Sequence, residues 1–260
     1  MYLRLNSDEL TIKDVFRSFF ESECSVERVR SSQHVGFDSG AWERLMETGA
    51  PGMCLPEQIG GGGAPLATGA IVADLVGEYV APLPFIEHLV ASRLLASLAP
   101  DHDLVPSLIS GEKIISLALQ PASENLAKLV PAGAVADAII ACKGNDLVLT
   151  TGKDRASHLR NTADLPLANC LISDGETIAS GDAMLNGFNR ARSEWQALMA
   201  VALTGLGRKA VDIGVSYAKE RYQFGVLIGS FQGLQHGFAS AITDVEGSHF
   251  LSNRAISALE

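Results

Sequence analysis

The chain has 260 residues, 47% of them apolar, which is enough for one large or two modest domains with a sizeable core. Thirty acidic residues against 20 Lys and Arg leave a net charge of -10, with the basic residues scattered. That balance argues against nucleic acid or an anionic membrane as the main partner. The N-terminus, MYLRLNSDEL, lacks the charged-then-apolar order of a signal peptide. The longest run of small and apolar residues, Ala197–Gly207, is too short to span a bilayer. Cys24, Cys54, Cys142 and Cys170 are far apart and form no C-x-x-C pair. Buried free thiols in a reduced, cytoplasmic protein are expected, and a zinc site is not.

The first predicted helix covers residues 7–22, with Ser7 as N-cap, Asp8 and Glu9 in the first turn, and Ile12, Val15, Phe16 and Phe19 at helical spacing. A second short helix is predicted over 39–48 around Trp42 and Leu45. The stretch from Glu47 to Gly63 reads as a loop, and its glycine run has no following Lys-Ser/Thr to make a phosphate cradle. Helices follow over 66–80 and 84–98, broken by Pro82 and Pro84. After Gly111 the period changes. Apolar runs of strand length occupy 113–119, 136–141 and 146–151, with one or two weaker strands in 166–180. From Asn189 the pattern is helical to about Glu220, and a second helix begins near Phe231. Its apolar stripe is Leu234, Phe238, Ala241, Val245, Leu251 and Ala255. Two long helices rarely cover their own apolar faces, so a partner subunit or a further C-terminal piece is expected against them. Gly205–Ala210 (GLGRKA) matches a dinucleotide-binding pattern but lies inside a predicted helix, where close helix packing is the expected role. The resulting fold class is multi-domain α+β. An N-terminal helical domain takes residues 1–109, a small middle β domain 110–187, and a C-terminal helical domain 188–260 (a partial four-helix bundle).

The segment Tyr217–Gln232, YAKERYQFGVLIGSFQ, lies between the last two helices. Its R-x-x-F-G turn and following Gln resemble the acyl-CoA dehydrogenase family. The resemblance extends in order through DSGAWERLMETGAPGMCLPEQIGGGG, VGEYVAPLPFIEHLVASRLL, SGEKIISLALQP and VPAGAVADAIIACKGNDLVL, covering nearly the whole chain. It implies that Arg221 and Gln232, helped by Gln223, Phe224 and Phe231, contact FAD held mainly by a neighbouring subunit. An Arg fork suits a diphosphate, Gly225 permits a sharp turn, and a Gln amide both donates and accepts. It also implies FAD-dependent α,β-desaturation of an acyl-CoA in fatty-acid or sterol side-chain degradation. The partners it implies are other acyl-CoA dehydrogenase subunits, in a homo- or hetero-oligomer, and an electron-transfer flavoprotein. The family's substrate pocket is built by several helices and the β domain.

Two family features are missing. After Gln120–Pro121 the family continues with an acidic-Pro-x-x-Gly-Ser-Asp loop, whereas this chain reads PASENLAKL. The family's G-x-K strand turn is matched only by an isolated Gly-Lys step in TTGKD, residues 150–154. No catalytic base is assigned. For members with the base on the first C-terminal helix, the matching position is Ala197, one turn from Glu194, and Glu194 is expected to be a solvated surface residue. The alternative to an enzyme is therefore a non-catalytic subunit that completes the FAD site of a catalytic partner.

Overall fold

A computed structural model describes residues 5–152 and 156–260 of the chain. Six helices come first: α1 (Ser7–Glu23), α2 (Val26–Ser31), α3 (Ser39–Glu47), α4 (Leu66–Glu78), α5 (Phe85–Leu98) and α6 (Val105–Ser110). Seven short strands follow: β1 (Ile115–Leu117), β2 (Leu126–Val130), β3 (Ala138–Lys143), β4 (Asp146–Thr151), β5 (Ala156–His158), β6 (Ala168–Leu171) and β7 (Glu176–Ser180). Then come the long helix α7 (Gly181–Glu220), a hairpin of β8 (Tyr222–Gln223) and β9 (Val226–Leu227), and α8 (Gln232–Leu259). The architecture is α+β, as the periodicities indicate.

Local chemistry moves several boundaries. The first helix is capped by Asn6 rather than Ser7. Asn6 Oδ1 accepts the amides of Asp8 and Glu9, and the Glu9 carboxylate accepts the Asn6 amide at 2.8 Å, a reciprocal capping box. α7 starts at Gly181, eight residues before its clear apolar periodicity, because Met184 and Phe188 already pack into the core there. α2, α6, β2 and β5 are short enough to leave no readable period. The Gly-Lys step of TTGKD runs into residues outside those described.

The strands form a four-stranded sheet in the order β1-β3-β4-β7 and a three-stranded sheet in the order β2-β6-β5. β1 runs parallel to β3, and the other pairs are antiparallel. β3 and β4 are almost wholly buried, which matches their unbroken apolar runs. One core cluster joins helices and sheets, from Phe16 and Phe20 through Phe85 and Leu89 to Ile140 and Leu198. All four cysteines are buried and free, and burial pushes the Cys24 thiol up to about 12. Among the described residues no helix is long and apolar enough to cross a membrane.

α4 and α7 cross at two reciprocal glycines. A Cβ on Gly205 would stand 2.1 Å from the Asp74 carbonyl oxygen, and one on Gly77 would stand 1.7 Å from that of Ala202. The GLGRKA motif is therefore a close helix crossing, as its helical context suggests. Asp74, itself buried, is held beside that crossing by Lys13 at 3.2 Å and Arg208 at 3.2 Å.

His88 ties α5 to β1. Its Nε2 donates to the Leu108 carbonyl at 2.9 Å, and its Nδ1 accepts the Ile115 amide at 3.4 Å. Burial pulls its pKa down to about 4, so the ring is neutral in the fold. A depressed histidine pKa means that the unfolded chain binds the proton more readily. Stability should therefore be complete above about pH 6.5 and fall as the pH drops toward 4, by about 3 kcal/mol from this group. Urea unfolding between pH 7 and pH 4 measures the slope. His88→Gln should flatten it, and an unchanged slope would remove His88 as its source.

Candidate functional site

The segment that carries the family motif lies at the end shared by α7 and α8. Arg221 is the C-cap of α7, where its amide donates to Tyr217 O at 2.9 Å. The chain then folds back, and the Ile228 amide donates to Arg221 O at 2.8 Å. Phe224 (φ 55°) and Gly225 (φ 83°) form the hairpin tip, both in the left-handed region. A Cβ on Gly225 would meet nothing, so glycine is there for backbone freedom and not for a close approach. A left-handed phenylalanine is uncommon, and this one is 92% exposed. Phe231, the N-cap of α8, brings its ring to 6.3 Å from that of Phe224, edge to face.

Five expected contact residues are thus gathered on one small surface: Arg221, Gln223, Phe224, Phe231 and Gln232. All are exposed. Arg221 makes no ion pair among the described residues, and Gln223 and Gln232 make no side-chain hydrogen bond there. Phe231 supplies no side-chain cap to α8, which leaves helix-terminal amides and their positive dipole end beside Gln232. An unpaired guanidinium, two free amides and two exposed rings make a donor set that fits a dinucleotide's diphosphate and planar ring.

The region of the expected base is different. Glu194 is not a solvated surface residue. It is 3% exposed, because α7 presses that face against α5. Its carboxylate receives Arg93 in a fork, Nε to Oε2 at 3.0 Å and Nη2 to Oε1 at 3.2 Å. Arg190 adds a third bond to Oε1 at 3.1 Å. Both oxygens are occupied by cations, which leaves neither free to take a substrate proton. The cluster lines a cavity of about 420 Å³ together with Cys54, Gly63, Ser97 and Gly187. Ala197, one turn on, lines instead a groove of about 840 Å³ between α7 and α8, beside Ala200, Leu203, Leu251 and Ala255. That groove and the exposed Ile213, Tyr217 and Phe250 leave α8 with only Ser252 and Ile256 buried, so its predicted stripe is largely uncovered.

The stretch after Pro121 makes no long loop. The Ala122 amide donates to Cys142 O at 2.8 Å, and Ser123 and Leu126 exchange backbone bonds around left-handed Glu124, so the chain turns at once into β2.

One polar contact has no counterpart in the expected site. Trp195 Nε1 donates to Glu87 Oε1 at 3.2 Å, joining α7 to α5 across 108 positions. Glu87 makes no ion pair among the described residues. Burial pushes its carboxyl above the usual carboxylate range, and its own backbone amide and the indole only partly oppose that. The sequence signal was a lone carboxylate inside PFIEHLV, an otherwise apolar run.

Comparison with known proteins agrees with the motif. The model for "Acyl-CoA dehydrogenase, N-terminal domain" matches residues 6–111, and that for "Acyl-CoA dehydrogenase, C-terminal domain" matches residues 182–260. The chain is 28% identical to acyl-CoA dehydrogenase IpdE2 of Mycolicibacterium smegmatis, over 97% of this chain and 78% of that protein. It is 30% identical to the Mycobacterium tuberculosis IpdE2, over 78% of this chain and 61% of that one. Its fold resembles the ChsE4-ChsE5 complex from Mycobacterium tuberculosis with a TM-score of 0.85 at 20% identity, covering 98% of this chain and 79% of that one. It likewise resembles the glutaryl-coenzyme A dehydrogenase glutaryl-CoA complex with a TM-score of 0.87 at 16% identity, covering 99% and 78%. Two family models placed in order along one chain, on a fold of the same kind, establish that the protein belongs to the acyl-CoA dehydrogenase family.

Proposed function

We propose that the chain is a subunit of an FAD-dependent acyl-CoA dehydrogenase, which desaturates an acyl-CoA thioester between its α and β carbons. The observation that carries this reading is the free donor set at the α7–α8 end, displayed by a member of this family. FAD, when bound, supplies the hydride acceptor. Arg221 places a permanent cation against its diphosphate, Gln223 and Gln232 orient polar groups, and Phe224 and Phe231 shield the contact from water. Because these residues face outward, the FAD they touch is held mainly by another subunit. An electron-transfer flavoprotein is the reading's electron acceptor, and a reducing cytoplasm suits the four buried thiols. The division into domains at residues 1–109, 110–187 and 188–260 belongs to the same reading.

A second reading is favoured by two observations. Glu194 is occupied by Arg93 and Arg190, and the turn after Pro121 lacks the family's acidic-Pro-x-x-Gly-Ser-Asp loop. In this reading the chain completes the FAD site of a catalytic partner. The ChsE4-ChsE5 structure is itself a complex, which gives a heteromer a precedent among proteins of this fold.

The visible spectrum of the purified chain separates the two. A stoichiometric flavin band that bleaches with an acyl-CoA supports the enzyme. Colour gained only with a co-expressed family member supports the partner. In either case Arg221→Ala should weaken FAD retention about 10- to 100-fold, the worth of a charge-assisted contact, with Arg221→Lys intermediate. Unchanged retention in the Ala variant would remove the cofactor assignment.

A further inference from the structure

α8 buries only Ser252 and Ile256. Its middle is tied to the molecule by one guanidinium as well. Arg208 leaves α7 one turn after the Gly205 crossing and reaches two helices at once. On α4 it meets buried Asp74 at 3.2 Å, which Lys13 of α1 also holds at 3.2 Å. On α8 its Nη2 donates to His249 Nδ1 at 3.3 Å, and its Nε stands 3.7 Å from Glu246 Oε1. A guanidinium only donates, so this contact needs the bare lone pair of Nδ1. The ring proton then sits on Nε2, and Asn253, whose amide lies 2.9 Å away, presents its oxygen to it. The charged groups that face the ring are Lys13 from α1, Asp74 from α4, Arg208 from α7 and Glu246 from α8 itself. Burial pulls the His249 pKa down and the Arg208 cation pulls the same way, while Asp74 and Glu246 oppose them.

We infer that His249 and Arg208 form a proton-operated clasp between α7 and α8, closed while the imidazole is neutral and open once it is protonated. A proton on Nδ1 turns the acceptor into a donor and sets two cations against each other. Glu246 lies three residues before His249 on the same face of α8, so it takes the imidazolium in place of Arg208. Asp74 keeps Arg208 and Lys13 on the α4 side, so opening frees α8 without stranding a buried charge. A histidine whose pKa is lowered in the closed state binds its proton more readily when α8 is free. The clasp is therefore complete above about pH 6.5 and weakens as the pH falls below it. It needs no flavin to operate, although Phe231 and Gln232 stand at the start of the helix it holds.

Hydrogen–deuterium exchange on the full chain tests the clasp, with rates at about pH 7.5 and pH 5 each divided by the unstructured rate at that pH. Protection of α8 around residues 245–256 should fall several-fold at the lower pH, toward a ceiling of about thirtyfold for an open-state pKa of about 6.5. Protection of residues 72–75 in α4 should change much less. His249→Gln keeps an acceptor for Arg208 and takes no proton, so its α8 protection should be the same at both pH values. His249→Lys fixes a cation at the site and should leave α8 weakly protected at both. A wild-type α8 equally protected at both pH values, or an equal fall in His249→Gln, overturns the inference. So does an equal fall in α4 and α8, which marks a loss of the whole fold, as from His88.

Discussion

Gly77→Ala should cost about 3 kcal/mol or more, and Gly205→Ala a similar amount. Each new methyl would stand on a backbone carbonyl of the opposite helix, which cannot rotate aside as a side chain could. α4 and α7 must separate, and the packing of Val72, Leu75, Leu198 and Val201 loosens with them. For a chain of this length that is a fall of roughly 6–12 °C in thermal midpoint. Gly247→Ala is the control. It lies within α8, where an added Cβ meets nothing, and should be neutral or stabilising by up to about 1 kcal/mol through helix propensity. A Gly77→Ala protein as stable as the wild type would mean that the two helices are not in contact in solution.

Glu194→Ala should be comparably damaging, by about 3–5 kcal/mol, because it strands the half-buried Arg93 guanidinium without its fork. Glu194→Gln keeps the shape and one acceptor and should lose less. The informative variant is the double replacement Arg93→Met with Glu194→Leu. Removing both charges abolishes the desolvation problem, and stability should return most of the way toward the wild type. Chemical denaturation of these variants, together with the single Arg93→Met and Glu194→Leu replacements, checks this. Additive losses in the double variant would show that the two side chains act independently. If any single variant keeps wild-type stability while losing turnover, Glu194 has a role beyond holding α5 to α7.

The difference between Glu194 and Arg221 marks what a sequence read alone can reveal. The helix around Trp42 was legible from its periodicity, and the helices around Ile71 and Leu89 and the strand Asp146–Thr151 from apolar runs of helix or strand length bounded by Pro, Gly or a Gly-Asn turn. The 221–232 turn was legible through its resemblance to a family motif, while its β hairpin was not foreseen. Glu194 was misread. Its local context, between Ser193 and Trp195 on a helix, looks exposed, and the arginine that buries it stands 101 positions earlier. Glu87 was passed over for the same reason, since its side-chain partner Trp195 is 108 positions away. Ion pairs and hydrogen bonds between distant elements leave no spacing to find. The one trace they leave is a charge in an apolar run, as at Glu87, or a carboxylate with no reason to be solvated.

α7 spans forty residues, roughly 60 Å, and is gripped mainly along its first twenty-five. From the Gly205 crossing to Arg221 there are sixteen more residues, or about 24 Å, which lean on α8 (Gly214 against Phe238, Gly207 against Val245). The α7–α8 pair behaves as a lever with its fulcrum at the crossing. A pivot of about 5° there would carry the guanidinium roughly 2 Å sideways, more than a directional contact tolerates. In the proposed reading, grip on FAD is thus set partly by two glycines that never approach it, and substitutions at the fulcrum should mimic those at the tip.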